Sequence, residues 1–119
     1  MKHHLMHPFS VDDLPTVLEK IPVGVTVTDL EGRILYFNEG SSRLVDRKPE
    51  YLGRDIRDCH KLASSRRRID EIIAGFKAGK HDPVVYTASH YAAPLHVAVV
   101  PLEIDGELAG LIHCVVKSG

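Results

Sequence analysis

Two adjacent residues, Cys59 and His60, carry the side chains that most often bind haem iron. Neighbouring positions cannot both reach one metal from the same side without strain, so one residue would bind the iron while the other tunes it. We expect His60 to be the metal ligand. The alternative is a structural role, in which Cys59 is a small buried apolar group and His60 is a loop residue bonded to the backbone.

Three consecutive arginines, Arg66, Arg67 and Arg68, fall in the predicted first turn of a long helix. The positive end of the helix macrodipole disfavours cations there. Bound anions would compensate, whether haem propionates, a flavin or nucleotide phosphate, or a carboxylate metabolite, because arginine offers a bidentate fork. Nearby carboxylates would neutralise the run equally well, and the run is also compatible with an ordinary solvated face.

Three further histidines, His90, His96 and His113, fall on predicted strands. Side chains alternate between the two faces of a strand, so His113 and its neighbour Cys114 point to opposite faces. One of these two side chains must therefore face the helices. A ligand role and a hydrogen-bonded, half-buried structural role are both open for these histidines.

The spacing of apolar residues along the chain predicts the helices and strands that would position these residues. Five strands with the helices grouped between the second and third predict an antiparallel sheet covered on one face by helices, an α+β architecture. Turn chemistry at Asp105 and Gly106 predicts a tight hairpin. The predicted elements are an amphipathic helix over residues 14–21, strands over 23–28 and 33–37, short helical turns over 38–58, a long helix starting after a cap at Ser64 or Ser65 and ending at Gly79, and strands over 83–90, 95–104 and 108–116.

The whole chain has 119 residues, which is one domain's length, with residues 1–21 as an N-terminal flank and helix and residues 22–117 as the core. It is 44% hydrophobic and 26% charged with a net charge of -1, which predicts a globular protein that binds neither nucleic acid nor membrane. The 2 cysteines form no CxxC pair, and the apolar runs are shorter than a membrane span of about 20 residues. We therefore expect a cytoplasmic protein.

The order of the predicted elements and several stretches of the sequence resemble the PAS domain family. The string "IPVGVTVTDLEGRILYFNEGSSRLV" is similar to the opening PAS hairpin and the Asn that follows it, and "YLGRDIRD" is similar to the Gly-containing link. More narrowly, "LGRDIRDCHKLASSRRRIDEIIAGFKAGK" resembles PAS domains found beside hemerythrin-like domains in bacterial proteins, although Lys61 stands where that subfamily usually has Pro. The resemblance implies a sensor that holds a ligand or cofactor between the sheet and the helices and signals through contacts with a partner.

Haem is the leading cofactor candidate for such a sensor, with His60 as iron ligand, Cys59 beside it, and Arg66, Arg67 and Arg68 on the propionates. Flavin is less favoured because the last three strands contain no Asn or Gln to hold its ring edge. No catalytic motif is present, so we expect no enzymatic activity. The alternative is a cofactor-free interaction module, and in either case we expect a homodimer formed through the N-terminal helix or the sheet.

Overall fold

Five strands and three α-helices make up the part of the chain that this computed structural model describes, which is residues 11–45, 47–59, 63–88 and 94–117. The same described ranges contain three short 3-10 helices, at Val11–Asp13, Pro49–Tyr51 and Ile56–Cys59. The α-helices and strands, in chain order, are α1 (Leu14–Lys20), β1 (Gly24–Asp29), β2 (Ile34–Phe37), α2 (Glu39–Val45), α3 (Ala63–Lys77), β3 (Val84–Ala88), β4 (Leu95–Ile104) and β5 (Glu107–Lys117).

The strands form one antiparallel sheet in the order β2-β1-β5-β4-β3. Thr26 of β1 lies opposite His113 of β5, and His113 lies opposite Val99 of β4. Residues paired in this way point to the same face of a sheet. We call this face the inner face, because the buried side chains of the helices pack on it, and we call the opposite face the outer face.

The hydrophobic core lies between α3 and the inner face. The buried residues of α3 follow the predicted helical spacing and pack against the centre of the sheet. Full burial of one such aliphatic side chain stabilises the fold by about 1.5–3 kcal/mol. The α+β prediction is confirmed by this layer, whose buried members are Ile69, Ile72, Ile73 and Phe76 from α3 and Leu95, Val97, Val99, Leu111 and Val115 from the sheet.

Strand β1 turns its small and polar side chains inward. Thr26 and Thr28 are fully buried on the inner face, whereas Val25 and Val27, which alternate with them, are only half-buried on the outer face. Helix α2 explains this choice, because it lies directly on the strand. A Cβ atom on Gly24 would stand 2.9 Å from the Cα of Ser41, and one on Gly40 would stand 2.6 Å from the carbonyl oxygen of Val23. The backbones are therefore too close for large inward side chains.

The predicted N-terminal helix is present as α1, with Pro15 in its first turn. Its apolar stripe is not buried, because Leu14 is 44% exposed and Val17 is 38% exposed. Asp13 precedes the helix without making a capping hydrogen bond through its side chain. No helix in the described ranges is long and apolar enough to span a membrane.

Two predicted turns are confirmed by their backbone angles. Asp105 and Gly106 have φ of 54° and 80°, so both central residues of the β4–β5 hairpin are left-handed, as a type I′ turn requires. Gly79 has φ of 100° and ends α3, with the N–H of Lys80 donating to the carbonyl oxygen of Gly75 at 3.0 Å.

The predicted start of the long helix was wrong. Ser64 and Ser65 lie within α3 and do not cap it, because Ala63 already has helical backbone. The arginine run therefore begins at the end of the first turn, at the fourth residue of the described helix, and continues beyond that turn. The macrodipole acts mainly on the first turn, so the conflict with these cations is smaller than the sequence suggested.

Candidate functional site

The predicted metal site centres on Cys59 and His60. Cys59 ends the 3-10 helix Ile56–Cys59, and His60 lies outside the described residues. Within the described ranges, no three His, Cys, Asp or Glu side chains are placed to hold a metal ion together. Iron binding by His60 stays a prediction.

The three arginines of α3 are exposed, as a solvated charged face would be. The guanidinium carbon of Arg68 lies 4.1 Å from the centre of the Tyr86 ring on β3. A cation over an aromatic ring at an exposed site is worth about 0.5–1 kcal/mol, so Arg68 helps to hold α3 against the sheet edge. Anion binding by Arg66, Arg67 and Arg68 stays a prediction.

His113 is the residue of the predicted pair that faces the helices. It is 3% exposed on the inner face, whereas Cys114 is half-buried on the outer face. Burial raises the pKa of the Cys114 thiol, so this thiol is protonated and weakly nucleophilic at neutral pH. His96 is exposed on the outer face of β4, and His90 lies outside the described residues.

A cluster of buried polar side chains occupies the interior between α2 and β1. We call Thr26, Asn38, Ser41 and Arg47 the interior polar cluster; each is at most 4% exposed. The hydroxyls of Thr26 and Ser41 are 2.9 Å apart and share a hydrogen bond. The Nε of Arg47 donates to the Thr26 hydroxyl at 3.3 Å. His113 adds an imidazole beside Thr26 on the neighbouring strand.

The Asn38 side chain joins this cluster to α1. Its Oδ1 accepts from the N–H of Val25 at 2.8 Å and from the N–H of Ser41 at 2.9 Å. Its Nδ2 donates to the carbonyl oxygen of Leu18 at 2.7 Å and to that of Val23 at 2.8 Å. One amide therefore caps the start of α2, binds the start of β1, and satisfies a carbonyl in the last turn of α1.

A second attachment of α1 runs through Glu19. Its Oε2 accepts from the hydroxyl of Tyr36 at 2.6 Å, and its Oε1 accepts from the N–H of Glu39 at 2.9 Å. Burial, together with the hydrogen bond to Glu19, raises the pKa of Tyr36 to about 12. Tyr36 thus stays protonated at physiological pH and keeps donating this bond.

Arg57 forms a third polar centre, beside the middle of α3. Its guanidinium pairs with Asp55 at 2.9 Å and with Asp70 of α3 at 2.6 Å, and it also donates to the carbonyl oxygen of Glu31. Burial alone would raise the pKa of Asp55, but the hydrogen bonds from Arg57 lower it overall. The hydrogen bonds with Asp55 and Asp70 raise the pKa of Arg57. This network ties the β1–β2 turn to α3 and is structural.

An open groove of about 850 Å³ lies between α3 and the edge strand β3. Arg68, Phe76, Lys80 and Tyr86 are among the residues that line it. Its volume is within the range of small-molecule sites, about 300–1,000 Å³. Acidic and basic side chains both line the groove, so its charge favours no single class of ligand.

Sequence reasoning missed the interior polar cluster. The threonines of β1 gave one available signal, since a strand that alternates Val with Thr buries one of the two sets. Arg47 gave none, because an arginine followed by Lys48 and Pro49 reads as an ordinary solvated loop. Its burial depends on how α2 lies on the sheet.

Comparison with known proteins gives one match to a family model and many structural matches. The family model described as "PAS domain" matches residues 14–117. No curated protein matches the chain in sequence.

Three of the similar solved structures span nearly the whole chain. A C-terminal domain from Streptococcus mutans is 16% identical with a TM-score of 0.74, and the match covers 98% of this chain and 90% of that one. The PAS domain of BvgS from Bordetella pertussis is 18% identical with a TM-score of 0.71, covering 92% and 86%. The photoactive yellow protein domain of the sensor histidine kinase Ppr from Rhodospirillum centenum is 19% identical with a TM-score of 0.67, covering 87% and 92%. At these identities the likeness shows the fold.

Proposed function

This chain belongs to the PAS family, and we propose that it is a sensory domain that binds a small ligand or cofactor between its sheet and its helices. PAS domains are typical of sensor and signal-transduction proteins, including sensor histidine kinases. We further propose that binding is relayed by contacts with a protein partner and involves no catalysis.

The interior polar cluster is the observation that carries this proposal. A core that only stabilises the fold is well served by apolar side chains, because each buried polar group costs about 1–3 kcal/mol when it is left without a hydrogen bond. Here two hydroxyls and a guanidinium are nevertheless placed between α2 and the sheet, beside an amide whose hydrogen bonds go to the backbone. The hydroxyls and the guanidinium would offer a ligand both donors and acceptors at the place where a PAS domain would hold one.

The first experiment asks whether any small molecule is bound. Native mass spectrometry of the purified protein would detect a ligand as a mass above that of the 119-residue chain. We expect such a mass, and we expect it to fall to the bare chain mass in Arg47→Met. A bare chain mass for the wild type, purified under several growth conditions, would count against ligand binding.

Haem remains the specific cofactor that we propose for this domain. We propose that His60 would bind the iron, with Cys59 as its neighbour in the sequence and with Arg66, Arg67 and Arg68 on the propionates.

A haem titration followed by absorption spectroscopy tests this cofactor. We expect a shifted Soret band in the wild type and its loss in His60→Ala. The matched control is His96→Ala, since His96 is exposed on the outer face, away from the helices. A Soret band that does not shift, or that shifts equally in His60→Ala, would rule out the axial-ligand role.

A cofactor-free dimerisation module is the second candidate, and exposed apolar side chains favour it. Val85 is 71% exposed and Val116 is 38% exposed, both on β-strands, and Leu14 and Val17 of α1 are 44% and 38% exposed. Burying such side chains against a second copy would stabilise a homodimer by about 25 cal/mol per Å² of apolar surface, less the cost of association.

Analytical ultracentrifugation of point variants separates the two possible dimer surfaces. Val17→Glu would weaken a dimer formed through α1, and Val85→Glu would weaken one formed through the sheet. Ile104→Glu is the control, because Ile104 is 56% exposed but lies at the β4–β5 hairpin. A dimer that survives both test variants would use neither surface, and a monomeric wild type would exclude the dimer.

A further inference from the structure

A continuous series of hydrogen bonds runs from the interior of the domain to α1. Arg47 donates to the hydroxyl of Thr26, and this hydroxyl bonds that of Ser41. The N–H of Ser41 donates to the side chain of Asn38, and the same side chain donates to the carbonyl oxygen of Leu18 in α1. Every member of the series from Arg47 to Asn38 is buried. A disturbance at Arg47 therefore reaches α1 without crossing the apolar core.

The chemistry of the inner end of the series favours an anionic ligand group. A guanidinium presents its N–H donors in a planar fork that matches the two oxygens of a carboxylate. The hydroxyls of Thr26 and Ser41 can donate as well as accept. A carboxylate at this point would take all three groups as donors, and it would compete with the bonds that now join Arg47, Thr26 and Ser41 to one another.

We infer that the ligand of this domain carries a carboxylate or a comparable anionic group, which is recognised by Arg47, Thr26 and Ser41, and that its binding weakens the attachment of α1 through Ser41 and Asn38. This inference rests on the proposed function, since it names the ligand class and the output of the same site. The output element is α1, whose apolar side chains are already exposed.

Matched valine substitutions test the series without any ligand. Thr26→Val removes the hydroxyl that links Arg47 to Ser41. Thr28→Val removes a hydroxyl that is equally buried on the same face of the same strand, but that hydroxyl donates to the carbonyl oxygen of Asp29, outside the series. The two variants therefore match in chemistry, burial and strand.

Hydrogen–deuterium exchange of the wild type and both variants measures how firmly α1 is held to the domain. The N–H of Ile21, which donates to the carbonyl oxygen of Val17 at 3.1 Å, reports the last turn of the helix. We expect this amide to exchange faster in Thr26→Val, by at most about fivefold, because the variant loses hydrogen bonds of the series but keeps the bond from Asn38 to Leu18. We expect it to be unchanged in Thr28→Val. Equal exchange in all three proteins, or equal acceleration in both variants, would overturn the proposed connection between the Thr26 hydroxyl and α1.

A thermal-shift panel tests the ligand class with named probes. Succinate, benzoate and inorganic phosphate are each added to the wild type and to Arg47→Met, with succinamide and benzamide as neutral counterparts. We expect at least one anion to raise Tm in the wild type only, and to accelerate exchange at Ile21. Stabilisation by the neutral compounds alone would refute the anionic class and leave the proposed function standing.

The absence of any bound ligand would distinguish a failure of the proposed function from a failure of the anionic class alone. If no probe shifts Tm and native mass spectrometry shows only the bare chain, ligand binding itself fails, and the anionic class fails with it. The connection from Thr26 to α1 is then still decided by the exchange data for the two valine variants.

Discussion

Asn38→Ala is expected to be among the most damaging single substitutions in this domain. The Asn38 amide is 1% exposed and serves four backbone groups, the N–H groups of Val25 and Ser41 and the carbonyls of Leu18 and Val23. Each buried backbone group left unsatisfied costs about 1–3 kcal/mol, and loss of a helix N-cap costs about 1 kcal/mol. Water can reach the groups nearest α1, so we expect a total loss of about 3–5 kcal/mol.

Urea unfolding measures this loss directly. For a slope of about 2 kcal/mol per molar urea, the unfolding midpoint would fall by ~2 M with an unchanged slope. The far-ultraviolet circular dichroism spectrum before unfolding serves as the control for the native fold. A loss below about 1 kcal/mol would show that water or rearranged side chains replace the amide, and the proposed connection to α1 would fail with it.

Asn38→Asp adds a pH test of the same geometry. The new carboxylate keeps the acceptor for the N–H groups but faces the carbonyl oxygens of Leu18 and Val23, which favours its protonated form. The two N–H bonds lower its folded-state pKa, whereas burial and the facing carbonyl oxygens raise it, and we expect the raising effects to prevail and to place this pKa above the unfolded value of about 3.9. The folded state then binds this proton more tightly, so the variant should recover stability relative to wild type as pH falls through the raised pKa. A deficit independent of pH would contradict the donor role of Nδ2.

Three further predictions follow from close contacts and titrating groups. Gly110→Ala places a Cβ 1.8 Å from the carbonyl oxygen of Thr28, so urea unfolding should show that the free energy of unfolding falls by more than ~3 kcal/mol. The control is Gly106→Ala, which should lose ~1 kcal/mol, because its φ of 80° is strained for alanine but its surroundings are open. Arg57→Met should flatten the loss of stability on acidification, because Arg57 lowers the folded-state pKa of Asp55 and that stabilisation disappears as pH falls through the lowered pKa; an unchanged pH profile would refute it. Tyr36→Phe should remove the tyrosine that titrates at about 12 in an ultraviolet titration, with no late-titrating group in the wild type as the contrary result.

The local elements were predictable from the sequence because each depends on neighbours in the chain. The bounds of β4 match the prediction of residues 95–104, and the Asp105 and Gly106 turn was readable from its two residue types. The start of α3 was not, because serine serves equally well before a helix and within its first turn. Choosing between these depends on the residues packed around the helix end, which the sequence does not specify.

The interior polar cluster was not predictable because its members come from separate elements. Thr26 and Arg47 are 21 residues apart in the chain, and Asn38 and Leu18 are 20 apart. Their meeting depends on the close approach of α2 to β1 at Gly24 and Gly40, which is a property of the packed backbone. The sequence identifies residue types that could bind a ligand, and only the packing shows which of them are buried together.

Burial also changes which cationic side chains are the better candidates for binding an anion. By residue type alone, a run of three arginines on α3 is a stronger anion site than the single Arg47. Exposed ion pairs contribute only about 0–1 kcal/mol, because water competes for both partners and salt screens them. A guanidinium that is 4% exposed acts in a medium of lower dielectric constant, where a hydrogen bond to an ionised group is worth about 1.5–3 kcal/mol. At the site that we infer, Arg47 would therefore discriminate a carboxylate from its neutral amide more strongly than the exposed arginines would, which is why the thermal-shift comparison is made with Arg47→Met.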